Sequence, residues 1–108
     1  LFDCWLSLLP SNESDRIRQY RQQADRWRSL VGRLLARCWL IQQFHCAWSD
    51  IRMAPGPYGK PKYTASSTPS FDVSISHHRD WIVFAGLRAA NTCASASIGV
   101  DVADTILP

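Results

Sequence analysis

Starting at Ile17, the apolar residues Tyr20, Ala24, Trp27, Val31, Leu34, Cys38 and Ile41 recur at alternating spacings of three and four. That spacing predicts one face of a long helix, or of two helices broken near Gln22-Gln23. Leu30, Leu35 and Phe44 widen the stripe beyond a narrow coiled-coil seam, so the helix is expected to pack on a sheet. Upstream, Pro10 to Asp15 reads as a stop and restart, with Ser11 or Asn12 as helix N-cap and acids in the first turn. Before that break, Phe2 to Leu8 alternates and is expected to form a first strand.

Downstream the period changes to two. Trp48 to Met53 reads as a short strand, and Ala54 to Tyr63, with three prolines and two glycines, as a turn-rich loop. Residues 64–70 form a polar connector. Phe71 to Ser76 then alternates, with Phe71, Val73 and Ile75 on one face, and His77 to Asp80 turns the chain into a return strand, Trp81 to Leu87. After a small, polar loop from Arg88 to Ser97, a last strand is expected from Ile98 onward, over residues 98–104, with Asp101 opposite to Val100 and Val102. There is no internal repeat. The class is α+β: a small antiparallel sheet packed against one long helix.

The 108 residues suffice for one domain with a modest core, or for part of a larger one, and 46% hydrophobic content argues against disorder. The chain opens on Leu1 and ends on Pro108 without a closing element, so both ends read as cut. The apolar opening is too short to span a bilayer and has no basic flank, which argues against a membrane partner and against a signal peptide. Cys4, Cys38, Cys46 and Cys93 form no CxxC pair or zinc spacing. Cys38 and Cys46 stand in apolar helical sequence, so reduced thiols and a cytoplasmic (cytosolic) location are expected. Net charge is only +3, yet Arg16 to Arg37 holds seven arginines against one acid, Asp25. Such a local excess suits an anionic partner.

Three short motifs carry candidate chemistry. In Tyr58-Gly59-Lys60-Pro61, Pro61 biases Lys60 toward extended backbone and aims its ammonium away from the loop, a geometry useful to a phosphate cradle. Ser74-Ile75-Ser76-His77 ends a strand with a hydroxyl and an imidazole, either of which can donate to phosphate oxygens. In Gly99-Val100-Asp101-Val102 a lone carboxylate among β-branched residues must face water, pair, or hold a cation such as magnesium. Taken alone, each motif also reads as ordinary structure: a solvated turn lysine, a polar hairpin end, an edge aspartate. Arg28 and Ser29, one turn beyond Asp25, read alone as solvated helix positions.

In this order and behind an Arg-rich helix, the motifs resemble the N-terminal half of a large, two-lobed 4′-phosphopantetheinyl transferase, of the surfactin-synthetase-activating or aminoadipate-reductase-activating type. The resemblance covers residues 14–104. It implies a single N-terminal lobe over residues 1–108, half of a pseudo-two-fold fold whose C-terminal lobe is a missing partner. It implies holo-acyl-carrier-protein synthase chemistry, with coenzyme A as co-substrate, Mg2+ as cofactor and an apo-carrier protein domain or aminoadipate reductase as acceptor. Lys60, Pro61, Ser76 and His77 would contact the coenzyme A nucleotide and its phosphates. Arg28 and Ser29 would lie near the adenine and 3′-phosphate, Arg16 would reach a phosphate, and Asp101 would be the first magnesium carboxylate. Many relatives have Asn where Ser74 stands and an acid where Ala103 stands. Asp104 points to the other strand face and is not promoted to ligand. The family's Trp-x-x-Lys-Glu helix, with the presumed base, lies beyond Pro108, so no catalytic residue is assigned and the chain alone is expected to be inactive. Two rival classes compete. The first is a nucleic-acid-binding module using the arginine-rich helix, disfavoured by the lack of RNP, KH or zinc patterns. The second is a coiled-coil-like interaction protein.

Overall fold

A computed structural model describes residues 1–56, 60–65, 68–88 and 98–101. Its elements run α1 (Phe2–Leu6), α2 (Ser11–Arg18), α3 (Gln23–Phe44), a 3-10 turn (Trp48–Asp50), β1 (Arg52–Pro55), β2 (Pro61–Thr64), β3 (Phe71–His78) and β4 (Trp81–Arg88). The strands form two antiparallel ribbons, β1 with β2 and β3 with β4. The α+β class holds, with two small sheets among the described residues in place of one. Among the described residues no helix is long and apolar enough to cross a membrane.

The arginine-rich region is two helices, broken just ahead of Gln22-Gln23. Arg26 Nε donates to the Tyr20 carbonyl at 2.7 Å and closes the break. The expected stripe is rotated, however: Leu30, Ala36, Arg37 and Leu40 are deepest, while Tyr20, Ala24, Leu35 and Cys38 are exposed. Cys46 lies beyond the end of α3, half-buried, and Cys4, Cys38 and Cys46 are free thiols. No side chain caps α2. Pro10 is its N-cap residue, and the Pro10 carbonyl accepts from the Glu13 and Ser14 amides, so Ser11 is already helical.

The expected first strand is a helix. Phe2, Leu6 and Leu9 also stand four and three apart, and this helical set packs on Ile17, Leu30 and Trp27. Trp27 meets both Phe2 and Trp5 edge-on, at ring distances of 5.0 and 5.6 Å. Both periods were present in the sequence, and contact with α2 and α3 selects one. The strand expected from Trp48 starts only at Arg52, because Trp48 to Asp50 makes a 3-10 turn whose indole Nε1 donates to the Leu8 carbonyl at 2.9 Å. Of the expected turn-rich loop, Ala54–Pro55 and Pro61–Tyr63 belong to the paired strands β1 and β2, in which buried Met53 stands opposite buried Tyr63. Ile98–Asp101 has no regular structure, so the last strand is not formed there; Val102, Ala103 and Asp104 lie outside the described residues, as do Tyr58, Gly59 and Cys93.

Two apolar clusters result. Leu6, Leu9, Ile17 and Leu30 join α1, α2 and α3. Ala36, Leu40, Ile51, Met53, Tyr63 and Val73 join α3 to both sheets. Between them sits Glu13, 1% exposed, paired with fully buried Arg37. Glu13 Oε1 also accepts from Arg33 at 3.0 Å and from Arg37 Nη1 at 2.9 Å. The Arg37 guanidinium lies 5.8 Å from the Trp48 ring centre and 5.9 Å from that of Tyr63, so it touches both clusters. Elsewhere Trp39 crosses β4 at Gly86, where a Cβ would overlap the indole ring.

Glu13→Ala leaves the fully buried Arg37 guanidinium without its carboxylate and is expected to destabilise the chain by about 3–5 kcal/mol in urea unfolding. Gly86→Ala, by overpacking Trp39, is expected to lower the urea midpoint by an amount equivalent to about 1–3 kcal/mol.

Candidate functional site

α2, α3, β1, β2 and β3 enclose a cleft of about 590 Å3. Arg16 comes from α2, Arg28 and Ser29 from α3, Pro61 from β2 and His77 from β3, so five expected site residues from four elements line it. Its size is in the range of small-molecule sites. Gly32 lets β3 come close, since a Cβ there would stand 3.1 Å from Ile75 Cγ2.

The charges in the cleft differ in availability. Arg28 is held by Asp25 Oδ1 at 2.9 Å and by the Arg79 carbonyl at 2.8 Å, tying α3 to the tip of the β3–β4 hairpin. Arg79 has φ of 52°, the left-handed conformation that the two-residue turn requires. Arg33 donates to Glu13 and, at 3.3 Å, to Ser29 Oγ. Arg16 is exposed and, among the described residues, makes no ion pair or side-chain hydrogen bond. It is therefore the guanidinium most open to an anionic ligand. Tyr63 is buried in the cleft lining, with its hydroxyl unpartnered among the described residues. Burial first, and the Glu13 charge second, push its pKa up to about 12 against the opposing pull of Arg33 and Arg37, so the phenol stays protonated.

β3 divides the expected site. Val73, Ile75 and His77 face the helix side, so Ser76 points to the other face. There Asp72, Ser74 and Ser76 form a row of polar side chains along which residues 98–101 lie. Asp72 Oδ2 accepts from the Ile98 amide at 2.8 Å, Ser74 Oγ from the Val100 amide at 3.2 Å, and Ser76 Oγ donates to Asp101 Oδ1 at 2.9 Å. Lys60 belongs to this group rather than to the cleft. Its ammonium donates to Asp72 Oδ2 at 2.7 Å and to the Ile98 carbonyl at 2.9 Å. Partial burial pushes the Asp72 pKa up, but the Lys60 hydrogen bond, the Ile98 amide and the Lys60 charge together hold it below its ordinary value.

Glu13, Arg33, Tyr63 and Asp72 were not identified as site residues by sequence reasoning. Asp72 had a signal: with Ser74 and Ser76 it makes a second period-two register, the polar face of the predicted strand. Glu13 had none beyond a place in the first turn of a helix. Asp101 is exposed, and among the described residues no group of three His, Cys, Asp or Glu could hold a metal ion. One exposed carboxylate suits a magnesium ion that takes its other ligands from substrate phosphates and water, and no more than that.

Residues 1–89 match the family model described as 4′-phosphopantetheinyl transferase, N-terminal. A phosphopantetheinyl transferase of Thraustochytrium sp. (strain ATCC 26185 / S-3) is 31% identical over 94 residues, covering 87% of this chain and 31% of the relative. The 4′-phosphopantetheinyl transferase Sfp of Bacillus subtilis (strain 168) is 28% identical over 103 residues, covering 94% of this chain and 41% of the relative. The B. subtilis 4′-phosphopantetheinyl transferase ffp is 28% identical over 100 residues, with 93% and 41% covered. The chain thus spans between 31% and 41% of the length of these relatives. With most of its length matched in this way, and with Arg16, Arg28, Arg33, Pro61 and His77 gathered around one cleft, the chain belongs to the 4′-phosphopantetheinyl transferase family and corresponds to its N-terminal region.

Proposed function

We propose that this chain is the N-terminal lobe of a two-lobed, pseudo-two-fold transferase that moves 4′-phosphopantetheine from coenzyme A to a serine of a carrier protein. The observation that carries this reading is the convergence of Arg16, Arg28, Ser29, Pro61 and His77 on one cleft. The nucleotide end of coenzyme A would lie there. Arg16 would pair with a phosphate through charge-assisted hydrogen bonds, and Pro61 and His77 would flank the adenosine. Arg28 is already fixed between Asp25 and the Arg79 carbonyl, so it would meet the ligand in a set orientation and lose little freedom on binding.

In the reaction, the acceptor serine oxygen bonds to the β-phosphorus of coenzyme A and 3′,5′-bisphosphoadenosine leaves. Asp101 would hold magnesium, which supplies neutralisation of the pyrophosphate charge when bound. Ser76, by donating to Asp101 Oδ1, orients that carboxylate. The proton of the serine would go to a base on the C-terminal lobe, in the family's Trp-x-x-Lys-Glu helix. The acceptor would be an acyl- or peptidyl-carrier domain, or the aminoadipate reductase of lysine biosynthesis, in the cytosol.

Two outcomes test this reading. Isothermal titration of the chain with coenzyme A is expected to show binding that Arg16→Ala weakens by about tenfold, the loss of one charge-assisted contact. No binding by the unaltered chain would overturn the assignment of the cleft. Incubation of the chain with coenzyme A, magnesium and an apo-carrier protein is expected to leave the carrier mass unchanged. A gain of the phosphopantetheine mass would show that the N-terminal lobe suffices.

A further inference from the structure

The Lys60–Asp72 pair, outside the cleft, has a defined target. Both backbone polar groups of Ile98 are taken by it: the amide donates to Asp72 Oδ2, and the carbonyl accepts from Lys60 Nζ. The ion pair joins the two, at 2.7 Å, and each side chain is only partly exposed, at 39% and 23%. Ile98 is thereby gripped by charged partners on both its donor and its acceptor side. Hydrogen bonds to ionised groups are the stronger kind, and two of them converge on one residue here.

The consequence falls three residues on. Val100 and Asp101 meet Ser74 and Ser76, the next two positions on the same face of β3. The anchors at 72, 74 and 76 stand two residues apart, roughly 7 Å between neighbours along a strand. They hold a segment running in the same direction as β3. Of the two downstream anchors, the one on the Val100 amide is a neutral serine contact 3.2 Å long, and the Ser76 one meets the Asp101 side chain rather than the main chain. The Ile98 grip is the part of this anchorage in which two charged side chains hold the main chain itself. A lone lysine–aspartate pair on a surface contributes little. This one differs because a main-chain amide and a main-chain carbonyl complete it.

We propose that Lys60 and Asp72 form a clamp that positions Asp101, with Asp72 the positioning residue and Lys60 its counter-ion, committed to Ile98 rather than to a ligand phosphate. The clamp sets the register of residues 98–101 against β3 and so the place at which the Asp101 carboxylate is presented. The functional half of this statement rests on Asp101 being a metal carboxylate.

The test uses the full 108-residue chain and nuclear magnetic resonance, with two readouts. Asp72→Ala is expected to speed hydrogen exchange at the Ile98 and Val100 amides by about tenfold or more, while core amides such as Leu40 keep their protection. Manganese, as a paramagnetic stand-in for magnesium, is expected to broaden resonances next to Asp101 in the unaltered chain and to do so less in Asp72→Ala. Lys60→Met, which keeps the aliphatic stem and removes the charge, should reproduce both effects if Asp72→Ala perturbs folding. Unchanged Ile98 and Val100 protection in the variants overturns the clamp even where manganese still finds Asp101. Absence of broadening near Asp101 in the unaltered chain overturns the metal reading and the positioning role with it, whatever the exchange rates show.

Discussion

The pairing of Glu13 with Arg37 and Arg33 is the interaction around which the rest of the molecule is arranged. A carboxylate and a guanidinium, both nearly inaccessible, lie where the two apolar clusters meet. Isolated charges there would be expelled, and the arrangement survives because the groups neutralise one another and share several hydrogen bonds. The pair also fixes geometry. It sets α2 against α3, and in doing so places Arg16 on the same cleft as Arg28 and Ser29.

This pairing changes the meaning of the basic region. Of the seven arginines between Arg16 and Arg37, Arg18, Arg28, Arg33 and Arg37 are matched to carboxylates of the chain itself. Part of what reads in the sequence as a broad basic surface is internal structure: Arg37 is fully buried and Arg28 and Arg33 are held in place, while Arg16, Arg18 and Arg21 are exposed. The charge left toward the cleft is concentrated at Arg16. A site with one open guanidinium and one oriented one suits a small, multiply charged ligand better than the repeating phosphates of a nucleic acid.

β3 then separates two kinds of chemistry by the pleat of a strand. His77 looks toward the cleft and Ser76 toward Asp101, although they are neighbours in sequence. Alternation makes this unavoidable, and it lets eight residues serve a ligand-sized cavity on one face and a segment bearing a carboxylate on the other. The tip of the same hairpin is tied to α3 through Arg28, so the two faces are held relative to the helix as one piece.

The sequence by itself determined the fold class, the β3–β4 hairpin and the family motifs, because each depends on local period or on residues close together in the chain; it left open one long helix or two broken near Gln22-Gln23, and the folded chain has two. Position along the chain could not determine that Phe2–Leu6 is a helix. Its apolar residues satisfy both periods, and only packing on Ile17, Leu30 and Trp27 selects one. Nor could it determine the partner of Glu13, twenty and twenty-four residues away at Arg33 and Arg37. Lys60 is the clearest instance. Its sequence neighbours suggest a phosphate ligand, while the folded chain brings Asp72 and Ile98 to its ammonium. Long side chains take whichever opposite charge the tertiary structure sets within reach, and that distance is not written in sequence separation.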